Sequence, residues 1–292
     1  MNKKVLKEKV SNLKKDGHTH TEFCPHGSGE DVELFIQRAI QLGFTEYSIT
    51  EHNPLPKSFM DQASGAREAI VTGGMNVNDV ETYLRKMHDL KYKYKSEIKI
   101  NVGFEVDYLP GFENWTIDFL NEYGKQIDDS ILSLHFQNGV GGYRSVDFSP
   151  EDFDSGLVKH YGSFEKAQEN YFSSYLEMVQ ADLGFYKPKR MGHLTLCQKF
   201  QTYFEGEATD LSDVSLVLID RIIEEVKDRG FEFDFNTAGL FKEFCGETYP
   251  PANIIQRVKE KGVAFVYGSD SHSHKDVGRG YDAFVQYMKQ IR

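Results

Sequence analysis

About seven times along this chain a short apolar run stops at a polar or ionisable residue, and a longer stretch follows before the next run. The runs are the "DGHTH" segment that begins at Asp16, then Glu46–His52, Ile98–Tyr108, Ser130–Phe136, Arg190–Leu194, Phe231–Asn236 and Val263–His272. Their composition and length suit strands. Between them lie amphipathic stretches of helical period: Asp31–Leu42, Asn78–Tyr94, Ser163–Leu183, Leu211–Arg229 and Pro251–Lys261. In the first of these Val32, Phe35, Ile36, Ala39 and Ile40 form one stripe, and Asn78 and Ser163 stand where N-caps belong. Strand and helix in alternation demand a parallel sheet with crossover helices. The expected architecture is α/β, a (βα)7 barrel, with an open doubly wound sheet as the alternative that alternation alone does not separate. No linker, repeat or low-complexity tract divides the chain, which predicts one domain over residues 1–292. Residues 60–75 and 138–160 lack periodicity and read as long excursions after strands, where functional loops are often found.

The residues that close the runs carry the chemistry. They are His18 and His20, Glu51 and His52, Glu105 and Asp107, His135, His193, Asn236, and finally Asp270 and His272. In a barrel the C-terminal ends of the strands converge on one mouth, so these residues should meet there. His18 and His20, Glu105 and Asp107, and Asp270 and His272 are each two apart, which puts each pair on one face of its strand. Imidazole and carboxylate together suit Zn²⁺, Mn²⁺ or Fe²⁺. With His26, seven histidines and the carboxylates Glu105 and Asp270 exceed what one tetrahedral ion can use. They predict two or three divalent transition-metal ions with one carboxylate bridging.

Composition narrows the partners. The 292 residues carry a formal net charge of −11, which argues against a nucleic-acid surface. Cys24, Cys197 and Cys245 are odd in number and scattered, so they imply neither a disulfide framework nor a zinc ribbon. The basic N-terminus leads into no apolar signal region, and no run approaches the roughly 18 apolar residues of a membrane span. The expectation is a soluble cytoplasmic protein with no membrane partner and an undetermined oligomeric state.

The phrases "DGHTHTEFCPHG", "TEHNP", "GFEVDYLPG", "LSLHF", "MGHLTL" and "GSDSH" resemble the successive motifs of the PHP (polymerase and histidinol phosphatase) family, over Asp16 to His272. "GFEVDYLPG" followed by "LSLHF" most resembles the monofunctional histidinol-phosphate phosphatase branch. The resemblance implies a distorted (βα)7 barrel with its metal site at the C-terminal ends of the strands. It also implies a ligand set: His18, His20, Glu105 and Asp270 for one ion; Glu105 again, with His135 and His193, for a second; His26, His52 and His272 for a third. The implied activity is hydrolysis of L-histidinol phosphate to L-histidinol and phosphate, by attack of a metal-bridging hydroxide, in histidine biosynthesis. A phosphoesterase for another substrate, such as a nucleotide or phosphopeptide, is the alternative, and a non-catalytic metal-dependent binding module is a third reading.

On that mechanism the proton of the leaving alcohol comes from His272, Asp270 or water. A dianionic phosphate should draw cations, for which Arg144, Arg190 and Lys199 are candidates. Glu51 and Asp107 are candidates for a wall facing the cationic end of the substrate; the alternative for Glu51 is support of a ligand, and for Asp107 a salt bridge. Cys24 is expected to fill the turn rather than act as a nucleophile, and His88 and His160 are expected to be ordinary surface residues.

Overall fold

A computed structural model describes residues 13–290. Seven strands form one sheet in chain order: β1 (Lys15–Asp16), β2 (Glu46–His52), β3 (Lys99–Asp107), β4 (Ile131–Ser133), β5 (Arg190–Met191), β6 (Glu232–Asn236) and β7 (Phe265–Gly268). Every neighbouring pair is parallel. Past their short ladders, the first and last strands also meet. Gly17 N–H donates to Tyr267 O (2.8 Å), Asp270 N–H to His18 O (2.9 Å) and His20 N–H to Ser271 O (3.0 Å), with a parallel bridge between Thr19 and Ser271. These bonds nearly close a seven-stranded barrel and exclude the open sheet. β2, β3 and β6 keep their polar end residues within the ladder, whereas β1, β4, β5 and β7 are shorter than the apolar runs suggested, and His18, His20, His135, His193, Asp270 and His272 stand beyond their last ladder residues.

A helix follows each strand: α1 (Val32–Gln41), α2 (Val80–Lys93), α3 (Glu113–Tyr123), α4 (Phe164–Gln180), α5 (Asp213–Asp228), α6 (Ala252–Glu260) and α7 (Tyr281–Gln290). Their starts are chemically marked. Asp31, Ser163 and Ser212 side chains accept the N–H of Glu33, Lys166 and Ser215, satisfying donors that a first turn leaves open. Asn78 is not a cap. Asn76 takes that role for a 3-10 turn over Val77–Asp79, and α2 begins at Val80. The predicted stripe of α1 buries Val32, Phe35, Ile36 and Ala39 against the barrel. Helices α3 and α7 were not foreseen. Their apolar residues are largely aromatic (Trp115, Phe119, Tyr123; Tyr281, Phe284, Tyr287), and several are only partly buried, so the stripe is weak in sequence.

The two aperiodic stretches are built rather than loose. The first holds short helices at Lys57–Met60 and Arg67–Val71. The second opens with an antiparallel hairpin, Phe136–Gly139 with Gly142–Ser145, and continues through short helical turns to Tyr161. Phe59, Leu109 and Phe136 make a small separate core beneath them. Arg144, foreseen as a phosphate contact, is instead the pin between the two excursions. Its Nη2 lies 2.6 Å from Asp152 Oδ1, and the same carboxylate accepts the N–H of Ala66. Among the described residues, no helix is long and apolar enough to cross a membrane.

Candidate metal centre

Glu105, near the end of β3, is the hub of the mouth. It is 1% exposed, and its two oxygens face different histidines. Oε2 lies 3.1 Å from His18 Nε2, 3.2 Å from His52 Nδ1 and 3.5 Å from His20 Nε2. Oε1 lies 2.9 Å from His193 Nε2 and 3.4 Å from His135 Nε2, and accepts the Ser133 hydroxyl at 2.7 Å. Asp270 Oδ1 adds a second carboxylate, 3.2 Å from His20 Nε2 and 3.8 Å from His18 Nε2. At the rim, His26 Nε2 stands 3.0 Å from His272 Nε2.

The far side of most of these rings is fixed. His18 Nδ1 lies 2.8 Å from Asp234, His20 Nδ1 3.1 Å from Glu51, His135 Nδ1 2.7 Å from Asp107, and His26 Nδ1 2.8 Å from the Thr72 carbonyl. Each Nδ1 therefore donates outward, and each Nε2 faces the mouth, where it offers a lone pair once it is free of a proton. Glu51 and Asp107 thus lie behind the histidines, fully buried, and not on a wall that a substrate reaches. Asp234 was missed, although alternation along "FEFDFN" puts it on the same face as Asn236. Asn236 ties the set together, donating to Asp234 and to Asp270, each at 3.1 Å.

Such a cluster is incomplete as it stands. His18 Nε2, His20 Nε2 and both ring nitrogens of His52 are buried without a hydrogen-bond partner. His135 Nε2 faces His193 Nε2 at 3.1 Å. Ring nitrogens packed against one another and against carboxylates call for positive charge between them, a proton or a metal ion. The spacing fits one: two ligands on a tetrahedral zinc, each about 2.0–2.1 Å from it, sit about 3.4 Å apart. Three compact donor groups meet this geometry: His18, His20 and Asp270; His52, Glu105 and His135; and His20, Cys24, His52 and His272.

Protonation reports the same demand. Burial disfavours a charged His20, yet Asp270 and Glu51 overcome it and raise its pKa to about 9. His135 rises to about 10 against burial, through Asp107 and Glu105. His52 and His272 go the other way, lowered by burial and by the charge of His20. Burial would raise Glu105 and Asp270, but the surrounding histidines hold both carboxylates well below the ordinary range. Burial, with Glu51 nearby, pushes the Cys24 thiol far up, which suits a filler and not a nucleophile.

Local backbone serves the site. Asp270 takes the left-handed conformation (φ 52°), a cost of about 1 kcal/mol that aims its carboxylate at His18 and His20. Gly268 has no side chain because a Cβ there would stand 2.3 Å from Asp234 Oδ1 and 2.7 Å from His18 Cβ.

Above the cluster opens a cavity of about 360 Å³. Its wall includes His26, His52, Glu105, His135, His193, Asp270 and His272, so the mouth gathers all the predicted ligands, with His18 and His20 forming its buried base. Lys199 lines it as expected, bound to Asp147 Oδ2 at 3.0 Å. Lys242, Glu68 and Phe148 also line it and were not foreseen, since nothing in the local pattern marks them. Arg190 does not reach it. That guanidinium is buried at the opposite end of the barrel, 2.5 Å from Asp129, because Arg190 opens its strand rather than closing it.

Comparison with known proteins agrees with this architecture. The PHP domain model matches residues 16–238. The chain belongs to the PHP family. Its PHP relatives include the histidinol-phosphatase of Bacillus subtilis, 37% identical over 94% of this chain and 98% of that protein. A Listeria monocytogenes crystal structure, whose histidinol phosphatase assignment is provisional, superposes with a TM-score of 0.91 at 53% identity, covering 93% of this chain and all of that one. The same fold recurs in histidinol phosphate phosphatase of Lactococcus lactis, solved with zinc, L-histidinol and phosphate, at a TM-score of 0.68 and 20% identity over 94% of each chain.

Proposed function

We propose that this protein hydrolyses L-histidinol phosphate to L-histidinol and inorganic phosphate, within one catalytic domain that holds two or three divalent ions. The observation that carries the reading is the donor-only mouth beneath a cavity of about 360 Å³, in a chain related over nearly its whole length to the Bacillus subtilis histidinol-phosphatase. That size suits a small ester. The Lactococcus lactis protein of the same fold holds zinc together with both products of this reaction, which supports zinc among the candidate ions.

In this proposal His18, His20, Glu105 and Asp270 hold one ion, Glu105, His135 and His193 a second, and His26, His52 and His272 a third. Such ions, when bound, supply Lewis acidity that lowers the pKa of water and neutralises phosphate oxygens. The chain's own residues do the rest. Glu51, Asp107 and Asp234 fix the tautomers of His20, His135 and His18. Lys199 and Lys242 meet the phosphate dianion; the Lys242 ammonium makes no hydrogen bond or ion pair among the described residues and is free to do so. The Glu68 carboxylate, likewise unpaired among them, meets the ammonium group, the task first expected of Glu51 and Asp107. Asp270 stays ionised and His272 neutral, which favours ion binding over proton delivery for both.

Phosphate release across a panel of phosphomonoesters tests the reading. Preference for histidinol phosphate, lost with chelator and restored by zinc or manganese, is expected. Preference for a nucleotide or phosphopeptide, or undiminished turnover without ions, overturns it.

A further inference from the structure

The segment after β7 returns over the mouth and places Arg279 against the turn that carries Asp270. Arg279 Nε donates to the Ser269 carbonyl and Nη2 to the Asp270 carbonyl, each at 3.2 Å. The Asp270 carbonyl is the acceptor that also faces His272 Nδ1 at 3.2 Å. Arg279 is itself held firmly. Its own carbonyl accepts the Tyr267 hydroxyl at 2.6 Å and the Thr237 hydroxyl at 2.8 Å, and Phe241 lies against its guanidinium. Asp276 flanks Nη1 at 3.4 Å.

We propose that Arg279 is a positioning residue for the metal centre: by gripping two successive carbonyls it holds Asp270 in its left-handed turn and fixes the ring of His272. Both side chains then present their donors to the mouth, Asp270 towards His18 and His20, His272 towards His26. A planar fork suits this grip, since two parallel N–H groups reach consecutive peptide oxygens that a lysine would meet singly. Arg279 also borders the cavity, so a direct contact with substrate is the competing role.

The inference rests on the metal reading above but not on the identity of the substrate, and its main readout needs no substrate. Zinc-loaded wild type, Arg279→Gln, Arg279→Lys and Thr237→Val are challenged with a chelating dye, and ion loss is followed. Arg279→Gln is expected to lose ions at least about tenfold faster, the usual scale for removing a group that orients a ligand. Its kcat falls while KM stays within about twofold, and excess zinc restores part of the rate. Arg279→Lys falls between it and wild type, and Thr237→Val, which loosens the anchor of Arg279, shows a smaller shift of the same sign. Unchanged ion loss with a raised KM in Arg279→Gln would assign the residue to substrate and overturn the proposal, as would no change in either. If Arg279→Gln does not fold, unchanged ion loss in Arg279→Lys and Thr237→Val overturns it equally. Failure of wild type to hydrolyse histidinol phosphate would leave the ion-loss result standing.

Discussion

The two ends of this barrel both bury charge, and they do so in opposite ways. At the floor, where strands begin, Arg190 and Lys15 flank Asp129 at 2.5 and 2.9 Å, and Lys99 and Lys15 flank Glu46 at 3.1 and 3.5 Å. Opposite signs are matched within the chain, and Gly17 leaves room for the guanidinium, since a Cβ there would lie 2.5 Å from Nη1 of Arg190. At the mouth, where strands end, two carboxylates and seven histidines face inward, and among the described residues no lysine or arginine is paired with Glu105 or Asp270 by an ion pair. The floor is self-neutralised and holds the barrel together. The mouth is neutralised by protons on His20 and His135 or by cations that replace them, and this exchangeable charge is what makes it a centre and not a core.

Breaking the two ends should give effects of different kind. The largest belongs to the hub. Glu105→Gln removes one of the two mouth carboxylates and is expected to lower kcat on the order of 10³-fold. Elemental analysis should show fewer ions per chain while the fold persists. A floor substitution should do the reverse. Asp129→Asn leaves the buried Arg190 without its carboxylate and is expected to cost about 3 kcal/mol in urea unfolding, with ion content unchanged. If Asp129→Asn emptied the mouth of ions, the separation of the two ends would be wrong.

A smaller effect belongs to the cavity wall. Losing one charge-assisted contact costs about 1.5–3 kcal/mol of binding. Lys242→Met and Glu68→Gln should therefore each raise KM for histidinol phosphate about tenfold or more, with ion content intact. A lowered ion content with unchanged KM would move either residue out of the substrate's reach.

The last comparison is a pH response of opposite sign at the two ends of the ion-free protein. His20 and His135 titrate near 9 and 10, above the value of about 6.5 in an unfolded chain. Their contribution to stability is complete below pH ~6.5 and disappears as pH climbs through 9 and 10. Asp129 is depressed by Arg190 and Lys15 despite burial, so its contribution is complete above pH ~4 and lost in acid. Melting of chelated protein should fall between pH 6.5 and 10, and less so for ion-loaded protein. A rise across that range would contradict the assignment.

Much of this was legible in the sequence. Strand ends place polar residues at one mouth, so the pattern that gave the strands also gave His18, His20, Glu105, His135, His193, Asp270 and His272 their common location. Spacing along strands does not report depth, however. Asp107 closes a strand and so reads as a substrate contact or a salt bridge, yet it lies behind the His135 ring it orients; for Glu51, of the two readings the strand end allows, the structure shows support of His20. Arg190 begins its strand and so points to the other end. Lys242, Glu68 and Arg279 belong to segments without period, where only the folded path brings a side chain to the cavity. Helix α3 escaped notice because Trp115 and Ile117 are only partly buried beside the buried Phe119, Leu120 and Tyr123, which blurs the stripe.

The mouth, unlike the floor, takes up cations from outside. Titration of fully chelated protein with zinc, followed by calorimetry and by metal analysis after gel filtration, tests it most directly. At least two tightly held ions per chain, release of protons on binding, and fewer ions in Glu105→Gln are expected. Less than one ion per chain, or the same number in Glu105→Gln as in wild type, would contradict it.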